Sequence, residues 1–158
     1  MIKFNFKIGK IDGVKSEGKV EWVNEKKAGE VKIRYEDGQK IFVVGLGKDQ
    51  LINAQLQKIA AKIGKKAKEE EIKSLAMPLL NSAEALATGF LLGEYEFRKY
   101  KHEPDKTHES HLEEIILVLK NANEEVKARE EINRAEIYVQ AVCLARDLVN
   151  EPSSLTTP

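Results

Sequence analysis

The fold is decided by the stretch VKIRYEDGQKIFVVGLG, which runs from Val31 to Gly47. Its first arm, Val31–Tyr35, alternates apolar and polar residues as a half-buried strand does. The dipeptide Asp37-Gly38 follows, and between two β-rich runs it predicts a hairpin, because the turn requires positive φ. The second arm, Lys40–Val44, becomes continuously apolar, which is typical of a strand that is buried on both faces.

Two further strands are predicted upstream of this hairpin. Lys3–Ile8 and Lys19–Val23 both alternate with period two, and three glycines stand between and beside them where turns are needed. We therefore expect residues 1–40 to form N-terminal β-hairpins.

Downstream of the hairpin the apolar residues recur at helical spacing. We expect a helix over Leu51–Ile63 with Asp49 near its N-cap, and then a short strand within Ile72–Leu80. Asn81 is expected to cap the next helix, with Glu84 three residues later as in a capping box.

The C-terminal part predicts one more strand and one more helix. Glu114–Leu119 is a continuously apolar run after its first residue, and the polar stretch Lys101–Ser110 before it is expected to be a loop. A helix is expected from about Glu124 and must end before Pro152, since proline disfavours a helical residue ahead of it. Its buried stripe is expected to contain Ile132, Ala135, Val139, Val142, Cys143 and Ala145.

This order of elements predicts an α/β fold. Strands that alternate with helices indicate a mixed sheet with a parallel core, flanked by helices on both faces and joined by right-handed crossovers. We expect residues 1–150 to form this domain and residues 151–158 to begin a linker.

Composition excludes several classes of protein. The 158 residues carry 26 Lys+Arg and 26 Asp+Glu, and this zero net charge argues against nucleic acid as a partner. No apolar run is long enough to span a bilayer, so no membrane partner is expected either. A single cysteine, Cys143, excludes an internal disulfide and any cysteine-based zinc cluster. The interpretation is a cytoplasmic, single-domain chain.

Gly45-Leu46-Gly47 is the first candidate for a binding site. It lies between a buried strand and a helix, where phosphate-binding loops occur. However, Gln50 stands where a dinucleotide fingerprint has its third glycine, and Lys48 does not follow the glycine spacing of a Walker loop. A tight structural turn is the favoured interpretation, and a nucleotide-binding loop stays open as the alternative.

Three histidines form the second candidate. His102, His108 and His111 are joined by Glu103, Asp105 and Glu109. Their spacing matches no zinc signature, and the polar composition favours a solvated loop over a metal site.

Nucleophiles are the third class of candidate. Cys143 lies on the apolar stripe of the last helix and is interpreted as a packing residue. Ser153 and Ser154 lack the flanking glycines of a nucleophile elbow. We therefore predict no catalytic, cofactor-binding or metal-ligating residue in this chain.

Three segments, in this order, resemble the cytosol (leucyl) aminopeptidase family of two-metal exopeptidases. They are Val43–Lys48, Ala83–Phe97 with Lys99–Lys101, and Leu144–Pro152 with Thr157-Pro158. The last is the most specific, because it is similar to the family's junction between N-terminal and catalytic domains.

The resemblance implies a macro-domain-like N-terminal domain without an active site. The family's ligands for two divalent metals, zinc or manganese, would lie in a catalytic domain beyond Pro158, and no position of this chain matches them. The same resemblance implies a homo-hexamer and peptide substrates for the full-length enzyme.

Two departures from the family are visible. Residues 1–40 are shorter and more strand-rich than the usual opening, and Ser154 and Thr156 replace the common residues near the junction. The alternative is a stand-alone macro-like module that binds a nucleotide or a protein partner, since a fold alone does not decide function.

Overall fold

The computed structural model describes residues 2–24, 26–97, 99 and 112–152. The described residues form six strands and three helices, with one short 3-10 turn at Ile11–Gly13. The strands are β1 (Lys3–Ile8), β2 (Gly18–Val23), β3 (Val31–Glu36), β4 (Gln39–Gly45), β5 (Ser74–Pro78) and β6 (Glu114–Leu119). The helices are α1 (Asn53–Glu69), α2 (Ala83–Gly93) and α3 (Ala122–Asn150).

The strands form one sheet in the order β1-β6-β5-β2-β4-β3. All neighbouring pairs are parallel except β3 with β4. The predicted α/β class, a mixed sheet with a parallel core and flanking helices, is therefore confirmed. The closer likeness to macro domains stays an expectation.

The hairpin around Asp37-Gly38 is confirmed. Asp37 has φ 48° and Gly38 has φ 77°, so both central residues adopt the left-handed conformation that a two-residue hairpin turn requires. The second arm is buried as expected, because Phe42 and Val44 are fully inaccessible and Val43 is 7% exposed.

The expectation of hairpins before β3 was wrong. β1 pairs with β6 at one edge of the sheet, and β2 lies between β4 and β5, all in parallel. Two parallel strands cannot be joined by a tight turn, so the connection through Ile11–Gly13 crosses the sheet instead.

The expected cover of both sheet faces was also wrong for the described residues. All three helices pack on the face that carries Phe42, Leu75, Met77 and Leu117. On the opposite face Ala76 and Val118 are buried mainly by Val14, which follows the 3-10 turn, with Ile11 beside it. The helices can share one face because α2 lies between α1 and α3.

The N-cap residues of α1 and α2 lie one to three positions from the expected ones. Ser82, not Asn81, caps α2: its Oγ accepts a hydrogen bond from the Ala85 N–H at 3.2 Å. Asn81 instead has φ 56°, a conformation that asparagine tolerates. At α1 the N-cap is Ile52 instead of the expected Asp49.

The last helix begins earlier than expected and ends where expected. Asn121 Oδ1 accepts from the Glu124 N–H at 3.0 Å, so α3 starts at Ala122. It stops at Asn150, two residues before Pro152. At 29 residues it is about 43 Å long, and its buried side chains end at Val139. Ala145 is exposed, contrary to expectation, because this half of the helix extends beyond the sheet.

No helix in the described part of the chain is long and apolar enough to cross a membrane.

Candidate functional site at the carboxyl ends of the parallel strands

The carboxyl ends of β4, β5 and β6 lie at one edge of the sheet, and each leads into a helix. Ligands of open α/β sheets bind at this edge, between the strand ends and the helix N-termini. A crevice of about 420 Å³ lies there, lined by residues that include Leu79, Lys120, Lys127 and Glu131. A second, of about 430 Å³, is lined by the loop around Gly47.

The Gly45-Leu46-Gly47 turn borders the second crevice, but its backbone donors face inward. The Gly45 N–H donates to the Glu30 carbonyl oxygen at 2.8 Å and the Leu46 N–H to that of Val23 at 2.9 Å. The Gly47 N–H donates to the Lys26 carbonyl oxygen at 3.1 Å. A phosphate-binding loop presents such N–H groups to its ligand, so this geometry favours the structural turn.

Both glycines are required by the path of the chain. A Cβ atom on Gly45 would overlap the carbonyl oxygen of Lys27. Gly47 has φ 79°, and a Cβ atom there would lie 3.0 Å from that of Ala28. The segment before β3 packs so closely on the turn that larger residues do not fit.

The N-terminus of α2 is occupied by a carboxylate from α3. Glu131 Oε2 accepts hydrogen bonds from the N–H of Ala83 at 2.8 Å and of Glu84 at 3.3 Å. Glu131 is 9% exposed, and its other oxygen lies 3.7 Å from the Lys127 Nζ atom. The donors and the dipole that would attract an anionic ligand are thus already satisfied internally.

The N-terminus of α3 also has a carboxylate and a capping side chain beside it. Glu124 Oε2 accepts from the Lys120 N–H at 2.9 Å, while Asn121 caps the helix from the other side. The crevice between β6 and α3 therefore carries two carboxylates beside Lys120 and Lys127. This arrangement opposes a phosphate at these two helix N-termini.

The candidate metal ligands cannot be placed. His102, His108 and His111, with Glu103, Asp105 and Glu109, lie outside the described residues, as do Ser153 and Ser154. Within the described ranges no group of three or more His, Cys, Asp or Glu residues could hold a metal ion.

Cys143 is half-buried on α3. Burial raises the pKa of its thiol, so the thiol is protonated at neutral pH. This environment suits the interpretation of Cys143 as a packing residue.

Sequence reasoning missed two polar contacts. The first is made by Glu131. Its burial could have been inferred from its position on α3 beside the buried residues Ala128, Ile132 and Ala135. The second is Tyr95, whose hydroxyl donates to Asp147 Oδ1 at 2.7 Å and so links the segment after α2 to the end of α3. Burial, with the contact to Asp147, raises the pKa of Tyr95. No local pattern marks a contact across 52 residues.

Comparison with known proteins identifies the family. The family described as Cytosol aminopeptidase family, N-terminal domain, matches residues 25–104. A probable cytosol aminopeptidase of Trichormus variabilis is 36% identical over 128 residues, which cover 76% of this chain and 25% of that protein. The probable cytosol aminopeptidase of Clostridium perfringens is 33% identical over 130 residues, covering 76% and 26%. Leucine aminopeptidase A1, chloroplastic, of Solanum lycopersicum is 29% identical over 139 residues, covering 81% and 23%.

Solved structures share the fold. A mutant of tomato leucine aminopeptidase superposes on 100% of this chain and 40% of its own, with a TM-score of 0.80 and 19% identity. The bottromycin maturation enzyme BotP covers 91% of this chain and 35% of its own, with a TM-score of 0.70 and 20% identity.

The chain spans only about a quarter of the length of the curated relatives that it matches. The matched family region begins between β2 and β3 and includes all elements from β3 through α2, and the family model is specifically that of the N-terminal domain. This chain belongs to the cytosol aminopeptidase family and corresponds to the N-terminal domain of its members.

Proposed function

We propose that this chain is the non-catalytic domain of a metal-dependent leucyl aminopeptidase, whose full-length form removes N-terminal amino acids from peptides. The match of residues 25–104 to the family's N-terminal domain carries the proposal. The relatives are named cytosol aminopeptidases and are about three times as long, which leaves ample length for a catalytic domain.

The metal ions belong, in this proposal, to that catalytic domain. The described residues of this chain offer no ligand set for zinc or manganese. We therefore assign no step of peptide hydrolysis to this chain.

Its role is then architectural. The domain would pack outside a hexameric core of catalytic domains and restrict the access of peptides to it, in the cytoplasm. The alternative of a nucleotide-binding module is less well supported, because the backbone N–H groups that a phosphate needs already donate to acceptors within the domain. These acceptors are the side chains of Glu131 and Asn121 and the carbonyl oxygens that face the Gly45-Leu46-Gly47 turn.

The direct test is an aminopeptidase assay of the purified 158-residue chain on a leucine chromogenic amide, with zinc or manganese added. We expect no turnover, whereas the full-length parent protein, as the positive control, should be active. Metal-dependent turnover that co-purifies with the chain and scales with its concentration would refute the proposal.

A further inference from the structure

The crevice between β6 and α3 combines apolar and charged lining residues. Its volume of about 420 Å³ falls within the range of small-molecule sites, roughly 300–1,000 Å³. Three half-buried apolar side chains contribute to the lining, namely Ile11, Pro78 and Leu79. On the other element, successive turns of α3 contribute Glu124, Lys127 and Glu131.

One oxygen of the buried Glu131 carboxylate has no hydrogen bond. Glu131 Oε2 accepts from both N–H groups at the start of α2, whereas no described residue donates a hydrogen bond to Oε1. The Lys127 Nζ atom lies 3.7 Å from Oε1, beyond hydrogen-bond distance, on a side chain that is 75% exposed. Because Glu131 is only 9% exposed and lines the crevice, its Oε1 atom favours a donor that a ligand brings.

Lys120 supplies a cation at the same crevice. Its backbone N–H donates to Glu124 Oε2 at 2.9 Å, but its Nζ atom has no hydrogen bond or ion pair with any residue that the structure describes. Carboxylates already accept from the backbone at the two helix starts, so an anionic group of a ligand pairs best with the ammonium group of Lys120. The crevice therefore suits a ligand that carries both charges.

We propose that this crevice binds a free α-amino acid with an apolar side chain. The ammonium group of the ligand donates to Glu131 Oε1, its carboxylate pairs with Lys120, and its side chain packs on Ile11, Pro78 and Leu79. The binding itself is inferred from the crevice alone. Its interpretation as binding of the product that the full-length enzyme releases rests on the proposed function.

Titration of the ¹⁵N-labelled 158-residue chain with leucine, followed by the NMR shifts of its amides, tests the binding. We expect saturable shifts around Leu79 and Val118 with a Kd of about 1 mM, which suits a ligand of few atoms in an open crevice. Leucine amide lacks the carboxylate and 4-methylpentanoate lacks the ammonium group, so each should bind at least about tenfold more weakly. No saturable shift with leucine up to about 20 mM, or equal binding of leucine and leucine amide, would overturn the proposal.

Substitutions test the assigned partners. Lys120→Gln should weaken leucine binding about tenfold and leave that of leucine amide unchanged. Lys58→Gln is the matched control, because Lys58 is an exposed lysine of α1 outside the crevice, and it should bind leucine as the wild type does. Glu131→Gln should weaken the binding of leucine but not of 4-methylpentanoate. Circular dichroism will verify that all three variants fold.

Equal affinities of Lys120→Gln and Lys58→Gln for leucine would overturn the site. The titration measures binding and not turnover, so its failure leaves the proposed function intact. Peptide hydrolysis by the isolated chain would refute the proposed function and would leave the binding result unchanged.

Discussion

The carboxylate of Glu131 on α3 accepts a 2.8 Å hydrogen bond from the backbone N–H of Ala83, the first residue of α2. The two residues lie 48 positions apart in the chain. Ser82 satisfies a later donor of the same helix, the N–H of Ala85. Two side chains from different elements thus fill the place where an anion would bind at this helix N-terminus.

Removal of this carboxylate should destabilise the domain. Glu131→Ala leaves the Ala83 N–H buried without its acceptor, and we expect a loss of about 1–2 kcal/mol in the free energy of unfolding by urea. Glu131→Gln keeps an acceptor oxygen and should lose less. Glu130→Ala removes a neighbouring exposed glutamate and should stay within about 0.5 kcal/mol of the wild type. Equal losses for Glu131→Ala and Glu130→Ala would show that the cap contributes nothing.

The sequence predicts most elements because their signals are local. Asp37-Gly38 marks the hairpin turn, and the apolar run of β6 has the observed bounds, Glu114–Leu119. The neighbours of β1 are different: alternation in Lys3–Ile8 reveals a half-buried strand but not its pairing with β6, more than a hundred residues later. For the same reason the sequence did not show that one sheet face is covered, among the described residues, by the segment around Val14 instead of by helices. A continuously apolar strand such as β4 fits either kind of cover.

Less of the candidate site than of the fold could be predicted from the sequence. The turn at Gly45-Leu46-Gly47 was found from its glycines, and its interpretation as a structural turn agrees with the inward direction of its N–H groups. Glu131 was not singled out, because a glutamate in a glutamate-rich helix normally faces water. Only its partner, the distant N-terminus of α2, explains its burial.

Substitution of the turn glycines should destabilise the fold without any ligand present. Gly45→Ala places a Cβ atom on the Lys27 carbonyl oxygen, and we expect a loss of about 2 kcal/mol or more. Gly47→Val forces a β-branched residue to φ 79°, with an expected loss of about 1–3 kcal/mol. Gly13→Ala is the control, because its Cβ atom meets nothing within 4 Å. Wild-type unfolding curves for Gly45→Ala and Gly47→Val would contradict the structural role of the turn.

Calorimetric titration with ADP-ribose and with NAD should give no binding heat. The reason is that the N–H groups of the turn and of the α2 N-terminus have internal acceptors. Lys48→Ala provides the comparison, since Lys48 is exposed and its loss should not affect folding. Micromolar binding to the wild type that Lys48→Ala weakens would instead favour the nucleotide-binding module.

Acid should remove the stabilising effect of Glu70. Its carboxylate lies 3.1 Å from Lys40 Nζ and accepts a hydrogen bond from the Tyr35 hydroxyl at 2.9 Å. Both contacts lower the pKa of Glu70, and the contact with Lys40 has the larger effect. A lowered pKa contributes stability above the pKa of the unfolded carboxyl, and this stability disappears as the pH falls through the folded value. Glu70→Gln should therefore cost about 0.5 kcal/mol at pH 7 and nothing well below about pH 4. Glu69→Gln, next to it and exposed, should cost little at either pH; a pH-independent gap for Glu70→Gln would contradict the assignment.

The end of α3 should depend on Tyr95 for its protection. Buried side chains anchor this helix only between Ala128 and Val139, whereas the turns near Asp147 are linked to the domain by the Tyr95 hydroxyl. Tyr95→Phe removes that donor with little change in shape. A hydrogen bond to a partly exposed carboxylate contributes about 1 kcal/mol. Its loss should make local opening of these turns, and hence their amide exchange, roughly fivefold faster than in the wild type. Hydrogen exchange at low protein concentration should show this increase over residues 144–150 and no change over residues 128–139. Tyr138→Phe, an exposed tyrosine of the same helix, should change neither region. Uniformly faster exchange along α3 in Tyr95→Phe would mean that the contact supports the whole fold, and unchanged exchange would mean that the last turns are stable without it.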